Sequence, residues 1–267
     1  MVLDVFVLGS MRATLDGQGQ RVRGDKQRAL LALLVLAQGR EVPAKQLIAE
    51  LWPATAPRNP GHALQAQVSR LRSAPGVEID FLDHGYRVDP ATFHTDATRF
   101  EDLCEQAGWL LAEGARAESA ECLREALGLW RGDAFEGLHE IVALQLESAR
   151  LARLRQAALS DRVDLDLAMG RASAVVDELH VLVGEQPLLE RHWSQLLTAL
   201  YATGKAPQAL DAFSRAREVF VDRLGVEPSG ELRALHLKIL REEPPAALLR
   251  FPVETPVLSA GRGRHRM

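Results

Sequence analysis

Side chains able to read a polyanion gather in one short stretch, HALQAQVSRLRS, residues 62–73. Arginine forks onto a guanine edge or a phosphate, glutamine onto adenine, and serine onto either. Stepped around a helix, Leu64, Val68 and Leu71 fall within about 60° of one another and form an apolar stripe. His62, Ala66, Ser69 and Ser73 lie opposite it. Gln65 and Arg72 occupy one flank and Arg70 the other. The small Ala66 lets the middle of this face come close to another surface. Such a face is ordinary on a solvated helix, so its meaning depends on the elements that position it.

The rest of the chain offers no competing chemistry. It has no GxxxxGK[ST] run, no GxSxG elbow and no HExxH helix. The eight histidines lack metal-ligand spacing with cysteine. Neither a cofactor nor a metal is expected, and the chain does not read as an enzyme. Trp130 and Trp193 read as packing residues. Two cysteines, Cys104 and Cys122, do not make a disulfide framework and suit a reducing cytosol. The start MVLDVFVLGS lacks the basic leader of a signal peptide. The longest apolar run, ALLALLVLA at 29–37, is too short to span a bilayer. A cytoplasmic protein without a membrane partner is expected. Its net charge of −4 conceals an asymmetry. Residues 1–90 hold eleven Lys/Arg against nine Asp/Glu, whereas the remainder holds 21 against 27. Residues 25–72 hold seven against three, which suits a nucleic-acid partner for the first third.

The elements around residues 62–73 give that face a setting. VLDVFVLGSMRATLDGQGQRV predicts two or three short antiparallel strands with a hairpin turn at Asp16-Gly17. In GDKQRALLALLVLAQG, Asp25 is placed to N-cap a helix whose apolar residues are Ala29, Leu30, Leu33, Leu34 and Ala37, with Gly39 closing it. VPAKQLIAELW predicts a second helix with Pro43 in its first turn and Leu47, Ile48, Leu51 and Trp52 inward. PATAPRNPG is a proline-rich loop. The helix of residues 62–73 follows, and VEIDFLDHGYRVD then predicts two strands around Asp83-His84-Gly85. Strands, three helices and a hairpin are the order of a winged helix-turn-helix of the OmpR type, in which the outer face of the third helix enters the major groove. The hairpin then brings His84 and Arg87 to the adjacent minor groove or backbone, with Tyr86 packed on the third helix. Thr55, Arg58 and Asn59, exposed beside the recognition helix, are the expected contacts to RNA polymerase.

From Thr95 the chain becomes a run of Ala/Leu/Arg/Glu helices. In HWSQLLTALYATGKAPQALDAFSRA, Trp193, Leu196, Leu200, Gly204, Ala209, Phe213 and Ala216 fall on tetratricopeptide offsets. Gly170 stands one repeat length before Gly204, and Leu179, Leu182 and Pro187 continue the earlier copy. A third copy around Gly114, Leu123 and Ala126 is out of register. Helix pairs of this kind stack into a curved array. The fold expected is therefore α+β winged helix-turn-helix over residues 1–92 and an all-α tetratricopeptide-like domain over 93–243. Residues 244–267, Pro-rich and then basic, read as a disordered tail.

These stretches resemble the Streptomyces antibiotic regulatory proteins. The similar segments are VLG, KQRALLALLVLAQGREVPAKQLIAELW, HALQAQVSRLR, GYRVDP, TDATRFEDL, ALGLWRGDAF, LAMGRASAVVDEL, QLLTALYATGKAPQALDAFSRAR and LGVEPSGELRALHLKIL. They run in the family's order from about residue 3 to 242. The resemblance implies a small-type activator: an OmpR-like DNA-binding domain followed by a bacterial transcriptional activation domain. It implies binding of double-stranded promoter DNA at direct repeats near the −35 element of a secondary-metabolite gene cluster. Two copies would bind side by side, paired through the helical domains, and would recruit RNA polymerase holoenzyme. The chain departs from the family pattern at Pro43, at Pro60-Gly61, which sets the start of the third helix a turn later, and at SAPG after Arg72. Two other functions fit the same elements: a helical-repeat adaptor whose first domain binds protein, and a repressor that senses a small ligand.

Overall fold

A computed structural model describes residues 2–249 apart from 17, 21 and 23. The chain divides into two compact units, Met1–Glu105 with Glu125–Gln156, and Gln106–Arg124 with Ala157–Met267.

The first unit opens with a sheet of four strands in the order β3-β2-β1-β7. β1 (Leu3–Phe6), β2 (Arg12–Leu15) and β3 (Gln18–Gln20) form an antiparallel meander. Asp16 takes φ 49° at the expected turn, while Gly17 lies outside the described residues. β7 (Phe93–Thr95) then joins β1 in parallel, Leu3 opposite Phe93. Between them lie α1 (Asp25–Leu36), β4 (Val42–Pro43), α2 (Ala44–Leu51), α3 (Pro60–Arg72), β5 (Asp80–Phe81) and β6 (Gly85–Arg87). The order is that of a winged helix-turn-helix with a leading sheet.

Local details differ from the sequence pattern in four places. Asp25 does not cap α1; Gly24 holds the N-cap position, and the Asp25 carboxylate pairs with Arg28 one turn on. Pro43 precedes α2 instead of entering its first turn, because it is taken up in β4 against Gly85. A side chain at Gly85 would meet the Val42 carbonyl oxygen at 2.1 Å, so this crossing admits only glycine. The third difference is the start of α3, at Pro60 itself. Proline suits the first helical position, and the Asn59 side chain caps the helix by accepting from the His62 backbone N–H at 3.2 Å. Finally, the start of the expected tail is ordered at its end: Leu248 is 4% exposed in the core of the helical unit, and Lys238 Nζ donates to the Ala247 carbonyl at 2.7 Å, while residues 244–247 are exposed. The remainder of the expected tail, 250–267, lies outside the described residues.

Three distant segments of the first unit meet at one carboxylate. Asp96, the first residue of α4 (Asp96–Ala112), is 7% exposed. It accepts from the Val7 N–H at 2.6 Å, from the Leu8 N–H at 3.2 Å and from Arg131 Nη2 at 2.8 Å. The backbone reinforces the junction, with Arg131 N–H donating to the Leu8 carbonyl at 2.9 Å and Phe135 N–H to the Val7 carbonyl at 2.8 Å. Ser10 bridges to Glu136 by backbone pairing and by an Oγ–carboxylate bond of 2.9 Å. Beside it Trp130 packs edge-on against Phe100 with centroids 5.4 Å apart, and Arg155 covers its ring.

The second unit is helical. Within or entering it are α5 (Arg116–Gly128), α6 (Val142–Ala168), α7 (Ala172–Glu185), α8 (Glu190–Ala202), α9 (Ala206–Leu224) and α10 (Gly230–Leu240). Gly114, Gly170 and Gly204 sit at three helix–helix turns with φ of 82°, 74° and 77°. In each, the glycine N–H bonds three residues back and the next N–H five back, the Schellman closure. The copy at Gly114, out of register in sequence, thus uses the same turn as the other two. Trp193, Leu196, Leu200, Ala209, Phe213 and Ala216 are all buried in one core with Leu179 and Leu182. Trp193 donates its ring N–H to the Pro187 carbonyl at 2.9 Å, which accounts for that tryptophan as a packing residue.

Asp96→Ala should remove a buried acceptor of three hydrogen bonds and strand Arg131. A loss of about 3–5 kcal/mol is expected, the range for breaking a buried pair. Urea denaturation would measure it, and amide exchange at Val7 and Leu8 should accelerate. Unchanged exchange there would show that the carboxylate does not hold the junction.

Candidate nucleic-acid interface

α3 is fixed by its apolar stripe: Leu64, Val68 and Leu71 are 1%, 2% and 0% exposed. His62, Gln65, Ala66, Ser69, Arg70, Arg72 and Ser73 are all exposed. The structure therefore brings the expected reading residues to one helix surface, as 3.6-residue periodicity requires.

Exposure alone does not make a side chain available. Arg72 Nε donates to the Ile79 carbonyl at 2.9 Å, and Nη2 donates to the same oxygen. Its guanidinium ties the end of α3 to the start of the hairpin. Ser73 Oγ donates back to the Arg70 carbonyl at 2.6 Å and finishes the helix. Arg70 makes none of the ion pairs or hydrogen bonds found among the described residues. Of the seven basic residues in 25–72, four are used inside the domain. Lys26 Nζ caps α2 at the Leu51 carbonyl, Arg28 pairs with Asp25, Arg40 bonds the Ala37 carbonyl, and Arg72 bonds Ile79. Among the described residues Lys45, Arg58 and Arg70 make no hydrogen bond or ion pair, while Lys26, Arg40 and Arg72 are held in place by neutral carbonyls and keep their charge.

The hairpin is a three-stranded sheet in the order β4-β6-β5. Arg87 lies opposite Asp80 and pairs with it at 3.0 Å. Tyr86 is buried and edge-on to Phe81. His84 is exposed at the tip, and its backbone is held at both ends. Its N–H donates to the Glu41 carboxylate at 2.9 Å, and its carbonyl accepts from the Ala44 N–H at 2.9 Å. The wing is thus anchored to the entry of α2.

Thr55, Arg58 and Asn59 are exposed in the loop before α3. Asn59 has a second role there, because its oxygen caps α3. An asparagine directly before proline and a helical pattern is a readable cap signal, and the sequence reading passed over it. It also passed over Lys45, an exposed cation in the first turn of α2. Among the described residues no three or more His, Cys, Asp or Glu side chains converge as a metal site requires. No described helix is long and apolar enough to cross a membrane.

Comparison with known proteins identifies relatives of this chain. Residues 95–240 match the family described as bacterial transcriptional activator domain. Regulatory protein DnrI of Streptomyces peucetius is 32% identical over 254 residues, covering 91% of this chain and 93% of that protein. Transcriptional regulator RedD of Streptomyces coelicolor is 33% identical, covering 97% and 78% respectively. A solved structure of Mycobacterium tuberculosis EmbR in complex with a low affinity phosphopeptide superposes with a TM-score of 0.84 at 31% identity. The match covers 92% of this chain and 68% of that one.

The two arginines of α3 should separate experimentally. Arg72→Ala removes a guanidinium bond to a main-chain oxygen and should cost about 1–3 kcal/mol, with faster amide exchange in the hairpin. Arg70→Ala should leave both stability and exchange unchanged. A hairpin indifferent to Arg72→Ala would free that guanidinium for another surface.

Proposed function

Because the chain belongs to the Streptomyces antibiotic regulatory protein family of transcriptional regulators, we propose that it activates transcription of a secondary-metabolite gene cluster by binding promoter DNA through α3. The observation that carries this reading is the outward face of α3. Gln65, Ser69 and Arg70 stand exposed around a small Ala66, on a helix whose opposite side is locked into the core. Arg70 has an uncommitted fork for a guanine edge or a phosphate, and His62 stands exposed in the first turn of the same helix. Arg72 and Ser73 support the reading as positioning residues, since they fix the end of the helix from which Arg70 projects. At the wing, His84 is exposed at the tip and Arg87 holds the hairpin closed through Asp80.

The binding site is a pair of direct repeats near the −35 element. A major-groove reader returns to the same face of B-DNA only after about 10–10.5 bp, so two copies in head-to-tail order can each place α3 in successive grooves. Residues 1–92 serve as the DNA-binding part, and 93–243 as the activation part. The α2–α3 loop, with Thr55, Arg58 and Asn59, faces RNA polymerase holoenzyme from the copy nearest to it.

Arg70→Ala, which leaves the core untouched, should weaken specific binding by about 1–3 kcal/mol in titrations on a promoter duplex. Unchanged affinity would remove α3 as the reading helix. The loop is tested separately, at protein concentrations that saturate the promoter. There Thr55→Ala with Arg58→Ala should leave footprint occupancy complete and lower the transcript yield with purified polymerase. Asn59 is kept, or replaced by aspartate, because alanine would cost α3 its cap, about 0.5–2 kcal/mol. Full transcription from the saturated promoter would take polymerase off the loop.

A further inference from the structure

The wing carries the wrong surface for a polyanion. Residues 78–87, EIDFLDHGYR, hold Glu78, Asp80 and Asp83 against the single cation Arg87, a net of −2 with histidine neutral. Arg87 pairs with Asp80, whereas Arg72 bonds the neutral Ile79 carbonyl and keeps its charge at the end of α3, outside the wing segment. Among the described residues Glu78 and Asp83 have no partner, and both are exposed. Between them in sequence stands Phe81, 61% exposed on the edge strand of its sheet. Carboxylates set against phosphate are repelled, and an exposed phenylalanine in an acidic segment suits a cationic protein surface with an apolar floor.

Such a surface exists on this chain, at the other end of α3. The α2–α3 loop, WPATAPRN, carries one charged side chain, the uncommitted Arg58, on a segment of small and cyclic residues, with Pro53, Ala54, Thr55 and Ala56 all exposed. α3 has thirteen residues and is about 20 Å long. The loop leads into its first turn, and Arg72 ties the wing to its last. Two complementary surfaces at opposite ends of one reading helix form a heterologous, head-to-tail contact. We propose that the wing is a protein-docking surface: Phe81, Glu78 and Asp83 of one copy seat on the Pro53–Arg58 loop of the next copy bound to the adjacent repeat. This rests on the tandem-binding reading above. In a pair it covers one loop and leaves the other free, so the same loop sequence serves the neighbour in one copy and polymerase in the other.

The test uses the full chain and duplexes selected by it from a random-sequence library, each carrying the selected motif once or twice in direct repeat. Wild type should bind the double site at least about tenfold more tightly than the single site, through the effective concentration of a neighbour. Inserting about 5 bp between the motifs should abolish that preference. Phe81→Ala, the double variant Glu78→Lys with Asp83→Lys, and Arg58→Glu should each lose that preference, read as the ratio of double-site to single-site affinity of the same variant. The protein combining all three charge reversals should regain most of the preference, because the reversed wing then meets a reversed loop. Retention of the preference in Phe81→Ala and both charge-reversed proteins would overturn the inference. So would an equal loss on single and double sites that the combined protein fails to rescue, which would put wing and loop on DNA. A selection that yields no motif would instead refute the DNA-binding reading itself, and this proposal with it.

Discussion

A buried carboxylate organises the first unit. Asp96 starts α4, yet its partners are the backbone of residues 7 and 8 and the side chain of Arg131. Burying a lone carboxylate would be prohibitive, so the site holds only because two main-chain donors and a guanidinium meet it together. That requirement pulls the end of β1 and the loop at 131–136 onto the start of α4. The β7 strand just before Asp96 pairs with β1, which sets the carboxylate at the right height. Three of the stretches through which the chain resembles its family, VLG, TDATRFEDL and ALGLWRGDAF, are thereby one structural feature. Each looks weak and unrelated when read along the chain. In space they are donor, acceptor and counter-ion.

The same accounting of charges separates roles within the winged part. Basic residues in a DNA-binding domain are commonly counted together, but a guanidinium bonded to a carbonyl inside the domain is fixed in position by that bond although it keeps its charge. Arg72 and Arg70 are two residues apart on one exposed helix turn. One is a tie between helix and hairpin, and the other is free. Arg87 is likewise absorbed by the carboxylate opposite it. The wing is left with unpaired acid and an exposed ring, although its backbone has the form that carries cations to DNA in other winged helices.

The helical second unit rests on a simpler device. Three glycine turns close their helices with the same pair of hydrogen bonds, and small residues such as Ala209 and Ala216 let neighbouring helices touch. A buried polar seam runs between α6 and α8. There Gln195 donates to the Ser160 carbonyl at 2.8 Å and to Asp164 at 2.6 Å, and Arg191 bridges Asp161 and Asp164. Burial holds the His192 imidazole in this seam below its ordinary range, with the Arg191 charge acting in the same direction. The seam sets which residues of the two helices face each other, where an apolar contact alone would tolerate sliding.

Local periodicity determined much of this protein. The stripes of α1, α2 and α3, the hairpin, and the repeat spacing of Gly170 and Gly204 are legible because each depends on residues within a turn or two. So was the exposed face of α3, since the stripe that buries one side of a helix exposes the other. The caps were read less well: Asp25 looked like an N-cap, but the backbone turns one residue earlier, and Asn59 was the real cap of a helix beginning at Pro60. Tertiary structure alone decided which polar groups are spent. Nothing in the sequence around Asp96 announces partners 88 and 35 residues away, and nothing near Arg72 shows that Ile79 offers its carbonyl. Propensity and periodicity act between neighbours, whereas the pairing of a buried charge is settled only when distant backbone donors are brought within hydrogen-bonding distance.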